Sequence, residues 1–449
     1  MTALSRVKKL LGAMLTCSAL ASTAQAETLA EALALAYANN STLNAQRASV
    51  RSVDESVPIA KSGLRPTVAG SLEYGYTSNS PRGGANDTGS MSLSVSQNLF
   101  NGFQTRNNVL SAEAAVLASQ AGLRTVEQNI LLAAATSYMD VIQFSRIVQL
   151  LNSNLEFLSF EVKAARDRFE VGDGTRTDIA LAEGAFQGGR ADLFSSQSSL
   201  AAAIGTYRQV IGVDPRGLSV RDVFKPRLPK TLRHAIEIGL STHPSILEAQ
   251  FAVDQQLHTV KSTQGQLLPS LSVTGSLSRN ASTTSTLNTA QVTAQVSIPI
   301  YQGGAVYGLI RQEKENLGLA RINVDIARDQ VRADIVAAWG NLEAARGTIE
   351  SAAAQVRSQQ LAVRGVQAER DVGQATTLDV LDSQSNLITA QITLATAERD
   401  LVIAGATLLS AIGRLDAASL GLGVRLYDPN QHYDAVKYRF IGGRTPDGR

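Results

Sequence analysis

Asp379 and Asp382 stand three residues apart in a stretch, Leu378 to Ile412, whose composition and apolar spacing are helical. That spacing puts both carboxylates on one helix face, a turn apart. In one chain alone they read as two solvated helix acids. Repeated around a symmetry axis they become stacked rings of negative charge, and narrow rings of aspartate select cations and hinder anions. The chemistry is electrostatic, not catalytic. His234, His243, His258 and His432 lack metal-ligand spacing, and the sequence has neither a phosphate loop nor a nucleophile elbow. No enzyme activity, metal or cofactor is expected.

The turn before Asp379 is written twice. Phe169-Glu170-Val171-Gly172-Asp173-Gly174-Thr175-Arg176-Thr177-Asp178 lies on Arg370-Asp371-Val372-Gly373-Gln374-Ala375-Thr376-Thr377-Leu378-Asp379 at an offset of 201. The same offset carries Leu99-Phe100-Asn101-Gly102 onto Ile300-Tyr301-Gln302-Gly303 and Tyr138 onto Trp339. Upstream the register drifts, with Pro66 matching Pro269 at 203. A tandem duplication is the simplest explanation. Asp178 matches Asp379, but Leu181 stands where Asp382 does, so the acid pair is unique to the second copy.

The N-terminus reads as an export signal over residues 1–26. Arg6, Lys8 and Lys9 precede an apolar run from Leu10 to Ala21, and Ala24-Gln25-Ala26 offers small residues for cleavage. Cys17, the only cysteine, would leave with it. Taking those three cations from 41 basic residues leaves 38 against 39 acidic ones, so no basic field argues for nucleic acid. No later segment is apolar for about 18 residues, the length of a membrane helix, but an exported chain can enter a membrane as strands.

Proline is missing between residues 82 and 214 and between 300 and 428, leaving room for very long helices. These are expected over 104–168, 177–211, 305–370 and 378–412, packed as coiled coils, with shorter helices over 29–60 and 232–263. Two windows alternate instead. Residues 289–300 and 88–99 place apolar side chains on one face and Ser, Thr, Gln or Asn on the other, and each has a partner at about 270–281 and 67–79. A strand of about 12 residues, tilted near 45°, covers roughly a bilayer core. Aromatic residues at strand ends, Tyr74, Tyr76, Phe100, Phe103, Tyr301 and Tyr307, fit a membrane girdle. Soluble hairpins resting on a helical core would share the alternation. In lipid, four strands leave open edges, so the chain must oligomerise, and three copies would give twelve strands. The expected division is a first repeat over 27–228, a second over 229–426 and a C-terminal tail over 427–449 without helical pattern.

Together the paired repeats, the Leu29 to Leu33 opening, Pro66 and Pro269 before the strands, and the Val-Gly-x-x-Thr-x-x-Asp turns resemble the TolC-type outer-membrane efflux proteins. The resemblance covers nearly the whole mature chain. It implies a membrane α+β fold: a homotrimeric twelve-stranded outer-membrane β-barrel, four strands per protomer, continued by a periplasmic α-helical coiled-coil barrel. It implies an exit duct that works with a periplasmic adaptor and an inner-membrane pump of the RND or ABC type. On that resemblance Asp379 and Asp382 line the periplasmic entrance, and Val171, Gly172, Val372 and Gly373 form tips that meet the adaptor. Thr177 and Asp178 are implied in links that close the entrance. Arg370 occupies a position that is aromatic in the best-known pattern, so an Arg370 to Asp178 salt bridge is the expected replacement. The expected cargo is small molecules; secreted protein is the alternative. A trimeric adhesin is a weaker rival, since its strands would cluster at one terminus instead of interrupting the helices twice.

Overall fold

The computed structural model describes residues 27–78, 85–219, 223–282 and 284–448; the expected export signal and most of the first strand connection lie outside them. Three short helices, α1 (Leu29–Asn39), α2 (Ser41–Asp54) and α3 (Ser56–Lys61), lead to strands β1 (Thr67–Ser78) and β2 (Ala85–Asn101). A helical hairpin follows, α4 (Gln104–Glu170) and α5 (Arg176–Ile211). The second half repeats the order with α6 (Leu232–Thr242), α7 (Pro244–Gly265), β3 (Ser270–Ser282), β4 (Thr286–Ser297), α8 (Ala305–Asp371) and α9 (Thr377–Ala411). Both long helices, α4 and α8, contain 67 residues, about 100 Å at 1.5 Å per residue.

The shorter helices depart from expectation at equivalent places. Pro244 has no N–H and drives His243 to an extended backbone (φ −63°, ψ 129°), so the helix expected over 232–263 breaks there. His243 then caps α7, its ring nitrogen accepting from the Ser245 N–H at 3.3 Å. In the first repeat Asn40 takes the same conformation (φ −61°, ψ 124°) and accepts from the Leu43 N–H at 3.1 Å, dividing α1 from α2. Asparagine competes for backbone hydrogen bonds and prefers this capping role to a helix interior. Pro299 likewise ends β4 at Ser297, short of the expected residue 300, because it cannot donate to the ladder. β2 runs three residues earlier and two later than expected, with a register shift between Asn98 and Phe100.

The four strands form one antiparallel sheet in the order β1-β2-β3-β4. Its registers align the alternation of every strand. Val68, Val95, Gly275 and Val292 form one cross-strand row, and Gly70, Leu93, Leu277 and Ala290 the next on the same face. Ser71, Ser92, Ser278 and Thr289 form a row on the other face, where the Ser71 and Ser92 hydroxyls meet at 2.8 Å. One face is therefore apolar through these middle rows, with Arg279 and Asn288 in the row of Leu72 and Met91 toward the far end, and the other is hydroxyl-lined. No helix among the described residues is long and apolar enough to cross a membrane.

Below the sheet the helices make a single-layered wall. Near the sheet its order is α2 and α3, then α4, α7 and α8; farther away it is α5, α4, α9 and α8. Each long helix is thus flanked by shorter ones stacked end to end. At the first joint the Asn40 side-chain amide donates to the Val210 carbonyl at 2.9 Å. At the second, a Cβ on Gly239 would stand 2.3 Å from the end of the Ile335 side chain, so a larger residue there requires the buried Ile335 to shift. The largest core lies at this level, around Leu33, Tyr138, Tyr207, Phe224, Ile335 and Leu408.

The tail differs from expectation. Asn430–Val436 form a helix, α10, laid over α2. Its His432 Nδ1 meets the fully buried Asp54 carboxylate at 2.8 Å, and burial pushes the Asp54 pKa up. The Tyr427 N–H donates to the Tyr37 hydroxyl at 2.9 Å, fixing the start of the tail. Local sequence lacked an apolar period because the segment is held by these polar anchors.

Tyr138 ties the core to the first residues and the inter-repeat linker. Its buried hydroxyl stands 2.7 Å from the Glu27 carbonyl and 2.8 Å from the Ser219 carbonyl, and accepts from the Ser219 N–H at 3.0 Å. Tyr138→Phe removes these bonds and deprives the Ser219 carbonyl of its Tyr138 donor, while the Ser219 N–H keeps the Glu27 carbonyl at 3.1 Å; the expected cost is about 1–2 kcal/mol. A lowered thermal unfolding midpoint with unchanged oligomer size would show it; an unchanged midpoint would refute the role.

Candidate functional site at the helical tips

Both hairpins turn by the same device. Gly172 (φ +83°) and Gly373 (φ +77°) adopt left-handed backbone that ends α4 and α8. The Asp173 N–H donates to the Arg168 carbonyl at 2.9 Å, and the Gln374 N–H to the Glu369 carbonyl at 2.8 Å. Three residues on, Thr175 and Thr376 open the return helices as capping boxes. The Asp178 carboxylate accepts from the Thr175 N–H at 2.9 Å, and the Asp379 carboxylate from the Thr376 N–H at 2.7 Å. Threonine hydroxyls donate to the same two carboxylates at 2.7 and 2.6 Å. These hydrogen bonds hold both pKa values below the ordinary aspartate range. The repeated motif is therefore first a turn-and-cap signature. Thr175 and Thr376, absent from the expected site, could have been found by their Thr-x-x-Asp spacing.

Asp379 and Asp382 are both exposed at the start of α9. Only the first is engaged by a cap, so the carboxylates share a face but differ in freedom. Val171 and Val372 at the two turns are exposed apolar residues (79% and 71%). Thr177 is exposed and makes no cross-hairpin hydrogen bond among those described, whereas Thr377, its counterpart on the second hairpin, is buried.

The expected Arg370 to Asp178 bridge does not form. Arg370 Nη1 instead meets Glu161 Oε2 at 2.6 Å; the Glu161 side chain is buried, at 1% exposure, and that of Arg370 is largely covered, at 11%. Asp178 is turned back onto its own helix start, where Thr175 engages its carboxylate, and Glu161 takes the guanidinium instead. Arg168 Nη2 approaches the same Glu161 oxygen at 3.9 Å. Glu161 thus sits between two guanidiniums and joins α4 to the end of α8. A buried carboxylate held this way resists separation, since removing one partner leaves an uncompensated charge. The sequence held a signal for it: Glu161 falls between the buried Leu158 and Ala165 on a mainly apolar stripe, and its repeat counterpart is Ala362.

At the sheet, Tyr74 and Tyr76 stand exposed on the apolar face toward the far end of the β1–β2 hairpin. Phe100 and Phe103 stack edge to face at 5.1 Å at the opposite, helix-side end. Tyr301 and Tyr307 are exposed there as well, one in the connection after β4 and one in the first turn of α8. The aromatics therefore fall at two levels. Phe103 has φ +62°, a conformation uncommon for a bulky residue, where the second repeat has Gly304 (φ +84°).

The sequence profile of the family described as "Outer membrane efflux protein" matches residues 32–213 and 235–414, once in each half. The chain is 43% identical over 457 residues to outer membrane efflux protein BepC of Brucella suis, covering all of this chain and 99% of that protein. It is 26% identical to outer membrane protein TolC of Escherichia coli over 92% of this chain and 88% of that one. The fold matches the Campylobacter jejuni CmeC outer membrane channel at a TM-score of 0.76 and 16% identity, over 91% of this chain and 89% of the other. It also matches the Neisseria gonorrhoeae MtrE outer membrane channel at a TM-score of 0.72, with 18% identity and coverage of 86% and 88%. With both repeats matched and a full-length relative at 43% identity, the chain belongs to the outer membrane efflux protein family, and it is an outer-membrane exit duct.

Proposed function

We propose that three copies close a twelve-stranded barrel in the outer membrane, that their walls form a helical duct through the periplasm, and that the duct is gated at the tips. The observation that carries this reading is the sheet with one apolar face and two unpaired edges at the end of a single-layered helical wall. Lipid tolerates the face but not the edges. The wall is also unfinished: Leu319, Ile322 and Ile326 leave an exposed apolar seam along α8, at helical spacing, for a neighbouring α-helix.

In such a trimer Asp379 and Asp382 make two rings of three carboxylates at the entrance. The Glu161–Arg370 pair holds the second hairpin against the first, and opening requires it to part. Val171, Gly172, Val372 and Gly373 present the turns to a periplasmic adaptor, and an inner-membrane pump supplies the energy. The duct itself performs no chemistry. Small molecules are the cargo this reading favours. Secreted protein is the second reading, favoured by a relative named alkaline protease secretion protein AprF, from Pseudomonas aeruginosa, 24% identical over 80% of this chain and 73% of that one.

Four outcomes are expected. A strain lacking the gene accumulates more fluorescent dye, and a plasmid copy restores the normal level; unchanged dye with loss of a secreted protein would favour the second reading. In planar bilayers Glu161→Gln and Arg370→Met each raise resting conductance, while the double replacement costs less stability than either single one, which commonly lose about 3–5 kcal/mol. Equal, low conductance in all variants would remove this pair from the gate. Asp379→Asn/Asp382→Asn lowers the cation-to-anion permeability ratio read from the reversal potential, and an unchanged ratio would place the acids outside the constriction. Because the Asp178 and Asp379 pKa values are depressed in the fold, their caps hold above the ordinary value of 3.8 and fail as pH falls through the depressed values. Acid below that value should therefore loosen the tips.

A further inference from the structure

The tail continues past α10 toward the sheet and ends beside it. Lys61 Nζ donates to the Lys437 carbonyl at 3.1 Å, and Arg65 Nη1 to the Arg439 carbonyl at 3.2 Å. Arg65 precedes the first residue of β1, Thr67, by two positions. The turn before it, Ser62–Leu64, lies under the strands, where the Asn98 side chain donates to the Gly63 carbonyl at 3.4 Å. The tail thus climbs the wall from Asp54 to the helix-side rim of the sheet. α10 lies over α2 and also touches α4, where the Gln120 side chain donates to Asn430 Oδ1 at 3.4 Å. A segment laid across two neighbouring helices of a single-layered wall would obstruct the passage if it were inside. It belongs on the outer side.

What the tail presents at that rim is amphipathic. Tyr438, Phe440 and Ile441 are exposed at 71%, 72% and 79%, beside Ile59 at 70%. Lys61 Nζ stands 4.6 Å from the Tyr438 ring centroid, and the Arg65 guanidinium 5.7 Å from that of Phe440. Arg65, Arg439 and Arg444 line a cleft of about 450 Å³ whose lining includes one acid, Glu55. Among the described residues none of the three guanidiniums is in a salt bridge. Aromatic rings mixed with Arg and Lys at a membrane boundary place rings among headgroups and cations against phosphates.

We propose that residues 437–444 form an interfacial anchor, and that the Arg65–Arg439–Arg444 cleft holds the headgroup of an anionic phospholipid from the periplasm-facing leaflet. The proposal rests on reading the sheet as the wall of a membrane barrel. The apolar side chains enter the acyl boundary while the guanidiniums bind the phosphate above them. Continuity with the strands and the excess of unpaired cations both favour lipid over a protein surface.

The test uses the full chain, purified in detergent, stripped of lipid and offered phosphatidylglycerol or phosphatidylcholine, with retained lipid counted by native mass spectrometry. Wild type is expected to prefer phosphatidylglycerol, and Arg439→Gln/Arg444→Gln to reduce that preference by roughly 25-fold, given about fivefold for each of two cations near an anionic surface. Phe440→Ser/Ile441→Ser should retain less of both lipids but keep the preference. Equal preference in wild type and the arginine variant overturns the proposal. So does full displacement by millimolar inorganic phosphate, which would mark a free-anion site, or loss of trimer without change in lipid, which would mark a contact between protomers. Conductance in planar bilayers separates the two levels. Wild type that conducts but shows no lipid preference sinks the anchor alone, whereas wild type that never inserts sinks the barrel reading with it.

Discussion

The outer edges of β1 and β4 each carry a row of backbone N–H and C=O groups, and hydrocarbon has nothing with which to satisfy them. The apolar face of the sheet draws it into lipid, while its edges forbid it to stay there alone. On the proposed reading the remaining features follow from that conflict. Copies must meet edge to edge, so the strands close, and the helices below are carried into a ring with the same symmetry. The unfinished seam on α8 and the hydroxyl-lined face of the sheet then have natural partners, a neighbouring helix and water.

On that reading the same ring would turn single residues into sets of three. Asp379 and Asp382 are unremarkable acids on one protomer, yet symmetry would bring their copies together around one axis. Their environments differ. The cap on Thr376 restrains the Asp379 carboxylate and disperses part of its charge, whereas the Asp382 carboxylate is free to turn toward a passing ion. Glu161 represents the opposite use of a carboxylate. Held dry between Arg370 and Arg168, it favours one arrangement of the two hairpins and does so from within the wall.

Much of the fold was legible because the chain states it twice. The proline-free intervals and the constant offset of 201 give two helices of equal length, and the alternation in residues 88–99 and 289–300 gives the apolar sheet face. Features that depend on long-range contact were less legible. Arg370 was visible as the odd residue at the tip, but its partner was not, since Glu161 lies 209 positions away and only packing shows that Asp178 is turned aside. The tail was hidden for the same reason. His432 and Asp54 are 378 positions apart, and no local period records their pairing. The breaks at Asn40 and His243 could have been read locally, from a capping residue in one repeat and a histidine–proline pair in the other.

The equality of α4 and α8, at 67 residues each, has a consequence for how such a chain can change. The two helices run between the same ends, the rim of the sheet and the tips, so they act as parallel struts of one frame. Deleting a turn from one alone would tilt the frame and rotate every later side chain out of its seam. Deleting matched lengths from both would keep it level. The reach of the duct across the periplasm is therefore a single dimension written in two places, and it can be altered only by coordinated edits to both copies.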